Sequence, residues 1–558
     1  MRRAVVAFSL LLATLFATAL PAAGPAPGKA AIASAHPLAT AAGHEILAKG
    51  GNAFDAAVAV SAALAVVEPI GSGLGGGGFY LLHRASDKLD VMVDAREKAP
   101  AAASRDMFLD ADGNVVRALA RDSALSAGIS GEPAGMELLA QKYGRLPLAV
   151  SLAPAIRFAN EGFPLYPRLQ ANIQRKRDVF ATQPEVAAVW LRDGESPALG
   201  TIIRQPDLAR TLERLARHGV RDFYEGALAR ELVAGVRRLG GNWTAADLAA
   251  YRALERAPIV GAYRGARIVS ASPPASGGIV LVEALNILSG YDLAQVDAAT
   301  RKHLIIESMR RAHRDRALWL GDPDFASMPV AELIHPYYAA GLRASLRLDR
   351  ATPSAELPGV EPPPQGTQTT HFSILDAEGN RVAGTITLNA FFGAGLVVPG
   401  TGVFLNNQMD DFSSKPGVPN GFGLVGASAN AIAPGKRMLS SSTPTFVESD
   451  RGLMIAGSPG GSFITGMVLL ATLDFLDGKD AVEIVGAPRI HHQYLPDVLQ
   501  FETDALTAVE RATLAQRGHN LREANRRWGN MQVVTWDYAS GRVEAASDPR
   551  GHGEGQVY

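Results

Sequence analysis

The sequence predicts a mixed α/β protein, on three observations. Apolar residues fall at helical spacing from Leu38 to Lys49 and again from about Asn52 to Val67. Phe79-Tyr80-Leu81-Leu82-His83 reads as a buried strand leaving the glycine-rich turn Gly71 to Gly78. In the second half, Phe372 to Leu375 and Val382 to Leu388 flank the turn Asp376-Ala377-Glu378-Gly379-Asn380, which reads as a β-hairpin.

The 558 residues are 47% hydrophobic and 20% charged, enough to build a large core and too apolar for global disorder. The chain opens on Met1-Arg2-Arg3, an apolar run from Ala4 to Leu20, and the small residues Pro21-Ala22-Ala23-Gly24. That pattern predicts a signal peptide over 1–23, because the run is short for a bilayer-spanning helix. The mature chain is then expected to be exported, periplasmic or extracellular, and not held in a membrane. Gly50-Gly51 ends the first helix and Asn52 or Asp55 opens the second. The stretch from Asp122 to Arg350 is mostly helical in pattern, for example Leu304 to Leu320. Within it Arg267 to Ser272 reads as a strand that runs into a loop, Pro273 to Gly278. Ala351 to Gln368 holds five prolines and two glycines and is expected outside the core. Leu453 to Ala456 and Gln532 to Trp536 read as strands, with a helix around Ile464 to Phe475.

Charge and composition exclude several functions. With 54 basic and 55 acidic residues, no nucleic-acid partner is implied. The clusters Arg175-Lys176-Arg177 and Arg526-Arg527 read as solvated surface. Cysteine is absent, which rules out disulfides, a thiol nucleophile, Fe–S clusters and thiolate zinc sites. Gly71-Ser72-Gly73-Leu74-Gly75-Gly76 has the spacing of a dinucleotide fingerprint. It leaves a helix and enters a strand, the reverse of what that motif requires, so its glycines are read as close backbone packing or a substrate wall. His491-His492 lacks further ligands at metal spacing. No G-x-S-x-G elbow, Walker loop or H-E-x-x-H helix occurs.

Gln368-Thr369 is different. A Thr at the mouth of a strand is common, since β-branched residues favour strands. Yet a cut before Thr369 gives that residue a free α-amine, of ordinary pKa about 7.7–8.0, that can serve as base for its own hydroxyl. The strand holds the nucleophile and the Pro-rich loop lets the cut ends part.

The surrounding text resembles the gamma-glutamyltranspeptidase family. The resemblance is carried by Thr369-Thr370-His371-Phe372-Ser373, Thr387-Leu388-Asn389, Leu405 to Phe412, Lys436 to Ser441 and Gly457-Ser458-Pro459-Gly460-Gly461-Ser462. In the first half it is carried by His36 to Thr40, Gly50 to Ala57, Gly75 to Phe79, Asp94-Ala95-Arg96-Glu97, Ser272 to Gly278 and Gly321-Asp322-Pro323-Asp324, and at the end by Ala546 to Gly551.

This resemblance implies a four-layer αββα sandwich of the N-terminal-nucleophile hydrolase type. It also implies a precursor that cuts itself between Gln368 and Thr369, giving a large subunit, 24–368, and a small one, 369–558, that stay associated. The implied activity is hydrolysis of the γ-glutamyl amide of glutathione and related compounds, with transfer of the γ-glutamyl group to amino acids or peptides. No metal or organic cofactor is required. Thr369 is then the nucleophile, Thr387 its hydrogen-bonding partner, and Gly460 and Gly461 the oxyanion donors. Arg96, with Ser440 and Ser441, suits the substrate α-carboxylate; Asp411, with Asn389 and Gln408, suits its α-ammonium. Taken singly, Arg96 and Asp411 could also be halves of a structural ion pair. Phe422 stands in a segment resembling the family's lid loop, at a position where many bacterial members carry Tyr. Two alternatives stand beside this reading: a glutaryl or cephalosporin acylase of the same fold, and a non-catalytic exported solute-binding protein.

Overall fold

The computed structural model describes residues 26–357, 369–415, 418, 424 and 426–558. The expected signal peptide, the Gln368 side of the expected cut and Phe422 lie outside the described residues.

Two antiparallel sheets form the centre. The first has seven strands in the order Glu554–Val557, Ala31–Ser34, Thr370–Leu375, Arg381–Thr387, Gly77–Arg84, Leu89–Ala95, Leu254–Arg256. The second has six: Val543–Ser547, Gln532–Asp537, Gly452–Gly457, Thr445–Ser449, Ala266–Ser270, Ile259–Tyr263. Both sheets draw strands from either side of position 368.

Period-two alternation sorts the side chains between layers. Along Gly77–Arg84, Phe79 and Leu81 enter the core between the sheets, with Phe446, Leu453, Ile455 and Trp536. Tyr80 and Leu82 face the other way, onto the alanine-rich helix Ala53–Val67. Leu453 and Ile455 face the first sheet, while Met454 and Ala456 meet the helices Gly277–Leu288, Ala298–Trp319 and Ile464–Leu476. The result is helices, sheet, sheet, helices, the four-layer arrangement expected above.

All fifteen residues of Ala53–Val67 are buried, so its start must satisfy its own polar groups. Asn52 and Asp55 do this reciprocally as a capping box. The hairpin Thr370–Leu375 and Arg381–Thr387 forms with the expected five-residue turn. One expectation shifts: the 273–278 loop is shorter than read, because Gly277 already opens a helix. Glycine permits this, since a Cβ there would lie 2.1 Å from Thr443 Oγ1.

Candidate active site

Thr369 sits immediately before the central strand Thr370–Leu375, with 7% of its surface exposed. Its Oγ1 lies 3.4 Å from Thr387 Oγ1, at the end of the neighbouring strand. The Asn389 N–H donates to Thr387 Oγ1 at 2.8 Å. A backbone amide can only donate, so the Thr387 hydroxyl is fixed by a neighbour that cannot reverse. Asn389 makes this contact from the left-handed region, at φ +78°, where Asn is better tolerated than most residues. The glycine-rich turn backs this strand end: a Cβ on Gly76 would lie 2.1 Å from the Thr387 carbonyl oxygen. The close-packing reading of those glycines holds.

His371, two residues on, plays a structural part. Its Nδ1 is 2.8 Å from Thr385 Oγ1, and burial pulls its pKa down to about 3, so the ring is neutral. A Cβ on Gly457 would fall 2.2 Å from that ring, so a bare glycine in the second sheet makes room for it.

Thr369 and Thr387 line a cleft of about 320 Å³ together with Arg96, Asn389, Gln408, Asp411, Ser440, Ser441 and Gly461. Nine of the residues singled out from sequence therefore meet in one place. Gly460 faces the next cleft along, with Phe463. The two glycines lie in the left-handed region, at φ +148° and +55°, in the loop that opens the helix Ile464–Leu476.

The charged groups are built from both halves of the sequence. Arg96, 1% exposed, donates through Nη2 to Asp411 Oδ2 and through Nε to the Met438 carbonyl at 3.2 Å. The two residues read as carboxylate and ammonium ligands thus touch one another. Gln408 Nε2 also donates to Asp411 Oδ2, at 3.2 Å, while Gln408 Oε1 is buried without a hydrogen-bond partner among the described residues. Asn389 Nδ2 is spent on the Asn407 carbonyl, leaving its amide oxygen as acceptor. Burial pushes the Asp411 carboxyl above its usual range against the pull of Arg96. Burial likewise raises Glu97 to about 8 against the same guanidinium, 3.6 Å away, so Glu97 is largely protonated at neutral pH and competes weakly for Arg96.

Sequence reasoning missed Arg316. It projects from the helix Ala298–Trp319 into the same cleft and is 5% exposed. Its Nε donates to Ser276 Oγ at 2.9 Å and its Nη2 to Ser441 Oγ at 3.2 Å. Burial lowers its pKa to about 10, which leaves it charged at neutral pH. No carboxylate lies within 4.0 Å of it among the described residues. Also missed was the scaffold behind Arg96. Asp94 accepts from the Arg96 N–H at 3.0 Å and from Arg256 Nε at 2.7 Å, with Arg437 Nε at 3.3 Å. Asp322 accepts from the Arg437 N–H at 2.7 Å. Three of the sequence motifs are thereby tied together. His491 and His492 are both buried, and no group of three metal-ligating side chains occurs among the described residues.

A family model described as gamma-glutamyltranspeptidase matches residues 39–558. The chain belongs to the gamma-glutamyltranspeptidase family. It is 41% identical over 531 residues to the glutathione hydrolase proenzyme of Escherichia coli (strain K12), covering 93% of this chain and 90% of that one. It is 43% identical over 499 residues to the glutathione hydrolase proenzyme of Pseudomonas sp. (strain A14), covering 88% and 86%. Among solved structures, a cephalosporin acylase from Bacillus halodurans superposes with a TM-score of 0.83 at 28% identity, covering 99% of both chains. As a gamma-glutamyltranspeptidase family member the chain is an enzyme with the α/β sandwich of the N-terminal-nucleophile hydrolases. No helix among the described residues is long and apolar enough to cross a membrane.

Proposed function

We propose that this protein hydrolyses the γ-glutamyl amide bond of glutathione and other γ-glutamyl compounds, and transfers the γ-glutamyl group to amino acids or peptides. The observation that carries the reading is the shared cleft: a strand-mouth threonine hydroxyl and a buried Arg96 paired with the partly buried Asp411 line the same small space.

In this reading the chain is cut between Gln368 and Thr369, and 24–368 and 369–558 remain as large and small subunits after loss of 1–23 on export. The free α-amine of Thr369 takes the hydroxyl proton while Oγ1 attacks the γ-carbonyl carbon. The oxyanion is met by the Gly460 and Gly461 amides. The C–N bond breaks, the leaving amine takes the proton, and a γ-glutamyl ester remains on Thr369. Water or an acceptor amine then attacks the ester carbonyl, and Thr369 Oγ1 leaves with a proton. The substrate α-carboxylate binds Arg96, Ser440 and Ser441; its α-ammonium binds Asp411, Asn389 and the unpartnered Gln408 Oε1. Both charges are needed, which is what favours a γ-glutamyl over a glutaryl group: a glutaryl chain has no ammonium for Asp411.

Denaturing electrophoresis of purified protein tests the cut, with two fragments expected and Thr369 at the N-terminus of the smaller. Turnover of glutathione against a glutaryl amide tests the specificity. A single intact chain without turnover returns the solute-binding reading, and preference for the glutaryl amide returns the acylase reading.

A further inference from the structure

Arg175, from one of the two basic clusters that read from sequence as solvated surface, shares a cleft with the other cluster, Arg526-Arg527. Arg175, on the helix Pro167–Ala181, and Arg526 and Arg527, near the C-terminus, line one cleft with Arg168, Arg522 and Arg550. This cleft encloses about 1670 Å³ of space continuous with solvent, and Glu523 is the one acidic side chain on its wall among the described residues. Some of these cations are committed elsewhere: Arg550 to Glu502 and Asp548, Arg527 to Asp504. Arg175, Arg522 and Arg526 are exposed and have no carboxylate within 4.0 Å among the described residues.

The position of the cleft matters as much as its charge. It is bounded by Gly460 and Phe463, while the Thr369 cleft is bounded by the next residues, Gly461 and Ile464. The two spaces thus lie on either side of one glycine pair, the pair read as oxyanion donors. The arginine cleft therefore adjoins the Thr369 cleft at the residues read as oxyanion donors. Phe391 and Trp528 add flat apolar walls, Phe391 with the Arg175 guanidinium 5.9 Å from its ring centre.

We propose that this arginine cleft is the binding site for the amine partner of the reaction, and that it selects acidic dipeptides as acceptors. The inference rests on the γ-glutamyl reading above. Convergent cations facing solvent with one opposing carboxylate raise the local concentration of anions and bind them in a salt-dependent way. A dipeptide with two acidic side chains carries three carboxylates and presents a free α-amine. That nitrogen attacks the ester carbonyl, Thr369 Oγ1 leaves with the proton, and a new γ-glutamyl amide forms.

The test uses γ-glutamyl p-nitroanilide as donor, whose leaving group has no carboxylate, and compares aspartyl-glutamate with glycylglycine as acceptor. The wild-type enzyme is expected to favour the acidic acceptor in kcat/KM by about tenfold, a margin that shrinks several-fold between about 50 and 300 mM salt. The triple variant Arg175→Gln/Arg522→Gln/Arg526→Gln is expected to lose most of that preference. Arg238→Gln, an exposed charge lining neither cleft, is expected to keep it. A wild-type preference near one, or one that survives both salt and the triple variant while nitroaniline is still released, overturns the proposal and leaves the γ-glutamyl reading intact. No release of nitroaniline by the wild-type enzyme removes that reading and this proposal with it.

Discussion

Arg96 and Asp411 lie 315 residues apart in sequence and share a hydrogen bond inside the cleft of Thr369. Paired buried charges of this kind contribute little net stability, since desolvation offsets their attraction. They hold two opposite charges side by side, which in the proposed reading meet the α-carboxylate and α-ammonium of the substrate.

Removing one member should therefore affect recognition most. Asp411→Asn keeps the shape and deletes the charge, and is expected to lower kcat/KM for glutathione by about a hundredfold, mainly through KM. Arg96→Lys is expected to be nearly as severe, because an ammonium cannot reproduce the fork that spans Asp411 and the Met438 carbonyl. Steady-state kinetics with glutathione check both. A change confined to kcat removes these residues from recognition of the substrate head.

Thr387→Val keeps the volume but leaves the Asn389 N–H without its acceptor, at a cost of about 1–3 kcal/mol for a buried donor. We expect slower chain scission and slower turnover, with Thr387→Ser restoring both. Fragment ratio on a gel against time measures the first. Equal behaviour of the Val and Ser variants would show that the hydroxyl does not orient Thr369.

Arg316 is expected to act by positioning. Because it donates to Ser441 Oγ, the Ser441 hydroxyl proton is the one left to give to a substrate carboxylate. Arg316→Gln should raise KM for glutathione about tenfold while kcat falls far less, and Arg316→Lys should recover part of the loss. Inhibition by free L-glutamate, which carries the same head, should weaken in parallel. Weakening of kcat alone contradicts this role.

A fourth expectation concerns pH. Glu132 accepts from Tyr80 Oη at 2.9 Å, and burial raises its pKa to about 8 from an ordinary value of 4.5. The folded state then holds a proton that the unfolded state has lost, so this group's contribution falls as pH rises from about 4.5 through about 8. Glutamine mimics the protonated acid. Glu132→Gln is expected to flatten the decline of Tm with pH across that window, as thermal melts at several pH values can establish. A decline unchanged in the variant means that Glu132 is ionised in the fold.

Much of this site is legible in the sequence where the determinants are local. The hairpin around 376–380 follows from alternation and turn residues, and places Thr369 at a strand mouth without tertiary information. Arg316 escapes such reading. It closes the run Arg310-Arg311-Ala312-His313-Arg314-Asp315-Arg316, whose charge density suggests a solvated helix face, yet Arg310, Arg311 and Arg316 are all buried. Glu307 pairs with Arg310 and Arg311 locally on the same helix, but the partners Asp497, Ser276 and Ser441 come from other elements and only the folded chain brings them within reach. The ion pair of Asp94 with Arg437 is invisible for the same reason. Arg175 and Arg526 are exposed as expected, but exposure alone does not reveal that they share one cleft.

The strand Ala31–Ser34 is bonded on one side to Thr370–Leu375 and on the other to Glu554–Val557. The proposed backbone break before Thr369 would thus leave one piece threaded between two ribbons of the other. Departure of either piece means tearing open a continuous hydrogen-bonded layer, so the nick by itself releases nothing. It does change the way back: an intact precursor folds as one molecule, whereas denatured halves must first find each other, and their recovery becomes second order in protein concentration.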